Sequence, residues 1–246
     1  MTDAPSQRLI LSIETSGDVC SVALLENEVL LSEHIFLHRM HLSEILLSHV
    51  KEVLREFNFT LEDVTDFAVG IGPGSFTGTR IGVMTMKTLA SLASKPLWGV
   101  GSLEATAYEY LGVIGALVVP IVPCRRGIVF AGAYDVNANF PVEMLKIDAY
   151  ALNELINRVQ EISSELNSSS ILICGSAVER YRAELTELTG AFPCPVAFGG
   201  VRYPRANSVG AFASQFIHIG KQPDDPISLV PLYISPPPIT MPKVRI

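Results

Sequence analysis

Three groups of residues in this chain are of types that can do chemistry. The first is the run Gly70-Ile71-Gly72-Pro73-Gly74-Ser75-Phe76-Thr77-Gly78-Thr79-Arg80-Ile81-Gly82. It reads as a strand, a glycine-rich turn and a helix start, a junction whose free amides and helix dipole can hold an anion. Gly72, Gly74, Ser75 and Gly78 are the candidates there. The run is no Walker loop, because Thr79-Arg80 follows Gly78, and the alternating Gly70, Gly72 and Gly74 miss the Rossmann spacing. The same glycines would also serve a tight turn with close strand–helix packing, and that reading is preferred. The second group is Glu14-Thr15-Ser16-Gly17-Asp18, where Thr15, Ser16 and Gly17 could meet phosphate or simply satisfy the amides of a polar hairpin mouth. The third is His34, His38 and His41. A metal site would need the first two on a helix, yet His34 to Phe36 reads as extended, so solvated loop histidines are expected. There is no HExxH, and Gly74-Ser75-Phe76-Thr77-Gly78 carries its serine in the wrong place for a nucleophile elbow.

The elements that must position these residues follow from periodicity. Leu9 to Ile13, Cys20 to Leu25 and Val29 to Phe36 are strand-like, the last two joined by a turn at Glu26-Asn27-Glu28. From His41 the period changes. Leu42, Ile45, Leu46, Val50, Val53, Leu54 and Phe57 recur at helical steps. Thr60 with Asp63 resembles a helix start. A buried strand from Phe67 to Ile71 enters the glycine run. A helix is expected from Thr79 to Ser94, a strand from Leu97 to Val100, and a helix from Ser102 to Leu111 with Ser102 as its cap. Similar order then returns: strands at 116–122, 128–134 and 143–147, a helix at 150–166, a strand at 171–174, and helices at 176–189 and 208–220. Two α/β halves, each opening with a hairpin, are predicted over 1–112 and 113–235, with 236–246 an extended proline-rich tail.

Bulk properties exclude several classes. The chain has 246 residues, 48% of them hydrophobic, enough for a substantial core, and no apolar run long enough for a membrane helix. The opening MTDAPSQRLI lacks an apolar signal core and the four cysteines form no CxxC pair, so a cytoplasmic location with reduced thiols is expected. A net charge of −7 without a basic block predicts a chain that binds nucleic acid poorly by itself, so that another subunit would have to supply most of the positive field.

The segment GPGSFTGTRIG closely resembles the signature of the TsaB (YeaZ) family, and ILSIETSGDVCSVALL, HLSEILLSHVKEVL and VGSLEATA resemble that family's opening hairpin, first helix and third-helix start. The resemblance covers roughly residues 9 to 110. It implies the actin/Hsp70/sugar-kinase-like (ASKHA) fold. It further implies a subunit that pairs with TsaD and the ATPase TsaE to place threonylcarbamoyl on the tRNA adenosine beside the anticodon. Where the family has Asp-Ala-Arg-Arg-Gly-Glu-Val-Tyr, this chain has Pro123-Cys124-Arg125-Arg126-Gly127-Ile128-Val129-Phe130, and Ser235 stands where an arginine is usual.

The catalytic relative TsaD resembles the same architecture with a metal-binding His-x-x-x-His at its third helix. Ser102 and Thr106 stand at those positions here, and hydroxyls are poor ligands for a transition metal. No catalytic residue and no resident metal or cofactor are therefore expected, although ATP or ADP could sit at an interface shared with a partner. Glu14 and Asp18 fall where an ATP-using member of this fold would orient Mg²⁺. The second-half loop at Pro123 carries no acid, so an independent small-molecule kinase or ATPase is the alternative reading and a metallopeptidase a more distant one. The resemblance implies a partner face on the first two helices, with Leu42, Leu46, Val50, Val83, Met86 and Leu89 as candidate contacts and a homodimer possible when the partner is missing.

Overall fold

A computed structural model describes residues 7–38, 41–200 and 203–234. Strands β1 (Leu9–Glu14), β2 (Val19–Glu26) and β3 (Val29–Leu37) form an antiparallel meander. Its β2–β3 turn places Asn27 and Glu28 at φ of 46° and 71°, the left-handed region that a two-residue hairpin needs. β4 (Asp66–Gly70) pairs in parallel with β1, and β5 (Leu97–Val100) with β4, giving the order β3-β2-β1-β4-β5. β1 is buried along its whole length because both of its faces are covered. Leu9, Leu11 and Ile13 join a core with helices α1 (Leu42–Arg55) and α2 (Phe76–Ala93), while Ile10 joins another on the opposite side.

The second half repeats this plan. Its strands are β6 (Ala116–Arg125), β7 (Ile128–Asp135), β8 (Val142–Ala151), β9 (Ser170–Cys174) and β10 (Val196–Phe198), in the order β10-β9-β6-β7-β8. Two antiparallel and two parallel pairings recur in the same sequence. Helices α4 (Leu152–Glu165) and α5 (Val178–Thr189) cover it as α1 and α2 cover the first sheet.

The remaining two helices cross between the halves expected over 1–112 and 113–235. Helix α3 (Ser102–Tyr108) packs against β6 and β7, and α6 (Ala206–His218) against β1, β2 and β4. Ala206, Val209, Phe212 and Ala213 share a core with Ile10, Ala23, Trp98 and Val100. Beyond α6 the chain stays on the first half. The Asp224 amide donates to Leu97 O at 2.8 Å, Lys87 Nζ donates to the carbonyls of Ile227 and Leu229 at 3.0 and 2.9 Å, and the Leu232 amide donates to Ile71 O at 2.8 Å. Residues 206–234 thus complete the first unit. The expected tail at 236–246 lies outside the described residues.

Smaller corrections have local causes. α2 starts at Phe76 rather than Thr79, because Ser75 Oγ accepts the Gly78 amide at 3.2 Å and caps the helix there. β8 runs on to Ala151, paired with Ile128, through the residues expected to open α4. Thr60 and Asp63 do form a capping box, but only a short 3-10 turn over 61–63 follows. β10, three residues long and bracketed by Pro193 and Pro195 before it and Gly199 after it, was too short for periodicity to mark. Among the described residues no helix is long and apolar enough to cross a membrane.

Candidate functional site

The first turn, the glycine run and the start of α3 meet at one point. Glu14, at the end of β1, is fully buried. Its Oε1 accepts the Ser16 amide at 2.6 Å, and its Oε2 accepts the Ser102 hydroxyl at 2.7 Å. Ser102 Oγ in turn accepts the Gly72 amide at 3.1 Å, while the Ser102 amide donates to Gly72 O at 2.8 Å. Burial pushes the Glu14 carboxyl above the usual carboxylate range, opposed by the hydrogen bonds from Ser102 and Ser16. Sequence reasoning missed the Glu14–Ser102 pair. A carboxylate closing an otherwise apolar strand was the available signal that a buried partner must exist, but nothing in the spacing pointed to Ser102.

The structure brings most of the expected anion-binding residues together, yet engages them with one another. Thr15 Oγ1 donates to Gly78 O at 2.9 Å, and the Ser75 amide donates to Ser16 O at 2.6 Å. A Cβ on Gly74 would lie 2.2 Å from Ser16 O, and one on Gly78 the same distance from Thr15 O. The glycines let the loop lie directly on the β1–β2 turn, so close packing explains them. Thr15, Ser16, Gly72 and Gly78 are buried in this contact, and Gly17 is half-exposed beside it. Gly74 and Ser75 are half-exposed on the other side of the contact. They line a cavity of about 390 Å³ with Phe76, Cys124, Arg125, Phe130, Leu232 and Tyr233. Among the described residues Arg125 is its one charged side chain, and no carboxylate lines it. The cavity can therefore receive an apolar or anionic group.

Ser102 and Thr106 are also committed internally. Both are buried, and Thr106 Oγ1 donates to Ser102 O at 2.8 Å. The polar rim of the second half, Gly175 and Ser176 with Arg182, Phe198 and Tyr203, encloses a further cavity of about 410 Å³, where Arg182 is bonded to Glu179 at 2.6 Å.

The expected partner contacts need correction. Leu42, Leu46, Val50, Val83 and Met86 are core residues under α1 and α2, each at most 3% exposed. The helical stripe read from the sequence is the one that covers the sheet. Leu89 is half-buried and, with Val50 of the expected set, lines a groove between the two helices, of about 250 Å³, together with Leu47, Lys51, Leu54, Phe59 and Leu61. The exposed apolar side chains on these helices are Leu47, Met84 and Leu92. The histidines are arranged differently as well. His34 leaves His38 and His41 behind and faces α1, where it meets His49.

Comparison with known proteins places this architecture. A family profile for TsaD, tRNA N6-adenosine threonylcarbamoyltransferase, matches residues 36–140. The chain is 36% identical over 125 residues to the tRNA threonylcarbamoyladenosine biosynthesis protein TsaB of Bacillus subtilis, covering 51% of this chain and 54% of that protein. It is 32% identical over 158 residues to the Escherichia coli protein of the same name, covering 63% of this chain and 68% of that one. The chain belongs to the TsaB family. Among solved structures, YeaZ from Pseudomonas aeruginosa superposes with a TM-score of 0.75 at 22% identity, over 92% of this chain and 99% of that one. The ROK hexokinase of Thermus thermophilus reaches 0.52 at 10% identity, over 86% and 99%. The fold is that of the ASKHA proteins, α/β with two tandem halves. The match thus spans about half the length of the Bacillus relative and two thirds of the Escherichia one.

Proposed function

We propose that this TsaB-family chain acts in tRNA threonylcarbamoyladenosine biosynthesis as a non-catalytic subunit that binds and activates a TsaD-type transferase. The observation that carries the reading is the Ser102–Thr106 position. Hydroxyls stand where the catalytic relative would hold a metal, and both are tied into buried hydrogen bonds to Glu14 and to Ser102 O. A chain with no ligand pair there and, among the described residues, no carboxylate lining the cavity beside Arg125 is suited to positioning a partner rather than to transferring a group. TsaE-type ATPase and tRNA then join through the assembled complex, tRNA indirectly, since this chain carries a net charge of −7 and its sequence has no Lys/Arg-rich block.

The partner face we assign is the outer side of α1 and α2, with the groove lined by Leu47, Phe59, Leu61 and Leu89. It replaces the buried stripe. Mixing the purified chain with the TsaD homologue of the same organism tests both parts. Leu47→Glu and Met84→Glu each remove about 2 kcal/mol or more from pairing, about 30-fold in Kd, with the thermal transition kept. Leu46→Glu instead unfolds the chain, because its side chain is 1% exposed in the core. Wild-type affinity in both surface variants would remove this face from the interface. Absence of any complex, together with normal threonylcarbamoyladenosine in a deletion strain, would remove the proposal.

A further inference from the structure

Strand β3 lies across α1 with its alternate residues Ser32, His34 and Phe36 turned to the helix. Each meets a polar or imidazole side chain there: Ser32 Oγ donates to Glu56 at 2.6 Å, His34 Nε2 lies 2.7 Å from Glu56 Oε1, and the Phe36 ring stacks on His49 at 3.9 Å. His49, Glu52 and Glu56 follow one another at three- and four-residue steps, so they share one face of the helix. Two imidazoles and two carboxylates thus converge between an edge strand and its covering helix, where apolar packing would be the ordinary solution.

We propose that His34, His49 and Glu52 form a binding site for a late first-row divalent cation of the Zn²⁺ class. Glu52 Oε2 lies 3.8 Å from His34 Nδ1 and 3.7 Å from His49 Nδ1, and one donor atom from each of the three residues falls within 4.8 Å of the others. A tetrahedral zinc with ligands at about 2.1 Å sets donors about 3.4 Å apart, so small side-chain adjustments close the triangle. His49 Nδ1 is shut off from solvent and has no hydrogen-bond partner among the described residues. At 3.7 Å the Glu52 oxygen is too far to be one. A cation between them satisfies both atoms at once.

The support around the cluster is of the kind metal sites use. Glu56 holds the far nitrogen of His34, so that Nδ1 is left facing Glu52, and Ser32 fixes Glu56 in turn. A carboxylate on the outer imidazole nitrogen orients the ring and raises its basicity. Imidazole with carboxylate selects zinc, cobalt, nickel or copper over magnesium and calcium. Glu52 is half-exposed, which leaves the remaining coordination positions to water. The site lies on the outer side of the first sheet and is separate from Ser102 and Thr106. Filling it would staple β3 to α1.

The test uses the tag-free full chain, stripped with a chelator and titrated first with Co²⁺ and then with Zn²⁺. A single equivalent of cobalt should bind with visible ligand-field bands and no thiolate charge-transfer band, and zinc should displace it. His34→Gln and His49→Gln should each weaken binding about 100-fold and Glu56→Gln about 10-fold, whereas His41→Gln and His218→Gln should not change it. Should a variant fail to fold, zinc added to the wild-type chain must shift the ring-proton resonances of His34 and His49 and leave those of His41 and His218 in place. A thiolate band, equal binding by the His34→Gln and His49→Gln variants, or shifts confined to the other histidines would overturn the site.

Discussion

Gly82 sits inside α2, where alanine would ordinarily stabilise the helix by about 1 kcal/mol. Here its Cβ would fall 2.1 Å from Thr15 Oγ1, against about 3.5 Å for an ordinary contact. Thr15 is β-branched and stiff at χ1, and its hydroxyl donates to Gly78 O at 2.9 Å in a buried setting. Relieving the overlap breaks that hydrogen bond, at about 1 kcal/mol, and repacks the turn at about 2 kcal/mol. After the helical gain is credited, Gly82→Ala should destabilise the chain by about 2 kcal/mol, lowering Tm by about 4–8 °C for a domain of this size. Removing the hydroxyl reverses the sign. With Thr15→Ala in place the nearest remaining contact is the residue-15 Cβ, 3.3 Å away, so Gly82→Ala should then be neutral or stabilise by up to about 1 kcal/mol. Thermal and urea denaturation of the four proteins in this cycle give the coupling directly. Gly82→Ala as stable as wild type, or equally costly with and without Thr15, would refute the claim that the glycine run exists for packing against the first turn.

Two further outcomes are expected. Arg205, entering α6, pairs with Glu33 on β3, whose side chain is 3% exposed and, among the described residues, otherwise accepts the Asn207 amide at 3.1 Å. Arg205→Ala should lower stability by about 3 kcal/mol, read as a shift in urea midpoint, and adding Glu33→Gln should recover much of it, because the loss comes from an uncompensated buried carboxylate. An unshifted midpoint would mean that α6 is held by its apolar face alone. For the thiols, burial pushes Cys20 and Cys174 up to about 12, so at pH 8 an aromatic disulfide reagent should modify Cys124 and Cys194, which are half-buried, and spare the other two until urea is added. Prompt reaction at Cys20 or Cys174 would contradict the packing around them.

Element types were legible in the linear pattern because they depend on neighbours in sequence. The apolar run from Leu9, the helical steps from Leu42 and the glycines after Ile71 each report a local pattern, and the repeated order of elements revealed two halves. Their tertiary roles were not legible, for three physical reasons. A helical stripe shows that one side is apolar but not which other surface it meets, so Leu46 and Met86 read as partner contacts when they are the sheet's own cover, and Leu47 and Met84 are the ones left outside. The crossing of α3 and α6 between halves depends on which sheet face stands uncovered, a property of the assembled sheets that no window of residues contains. Finally, Glu14 with Ser102, and His34 with His49, are contacts closed only by the fold. Burial demands that such groups find partners, but only the path of the chain decides which partners come within reach.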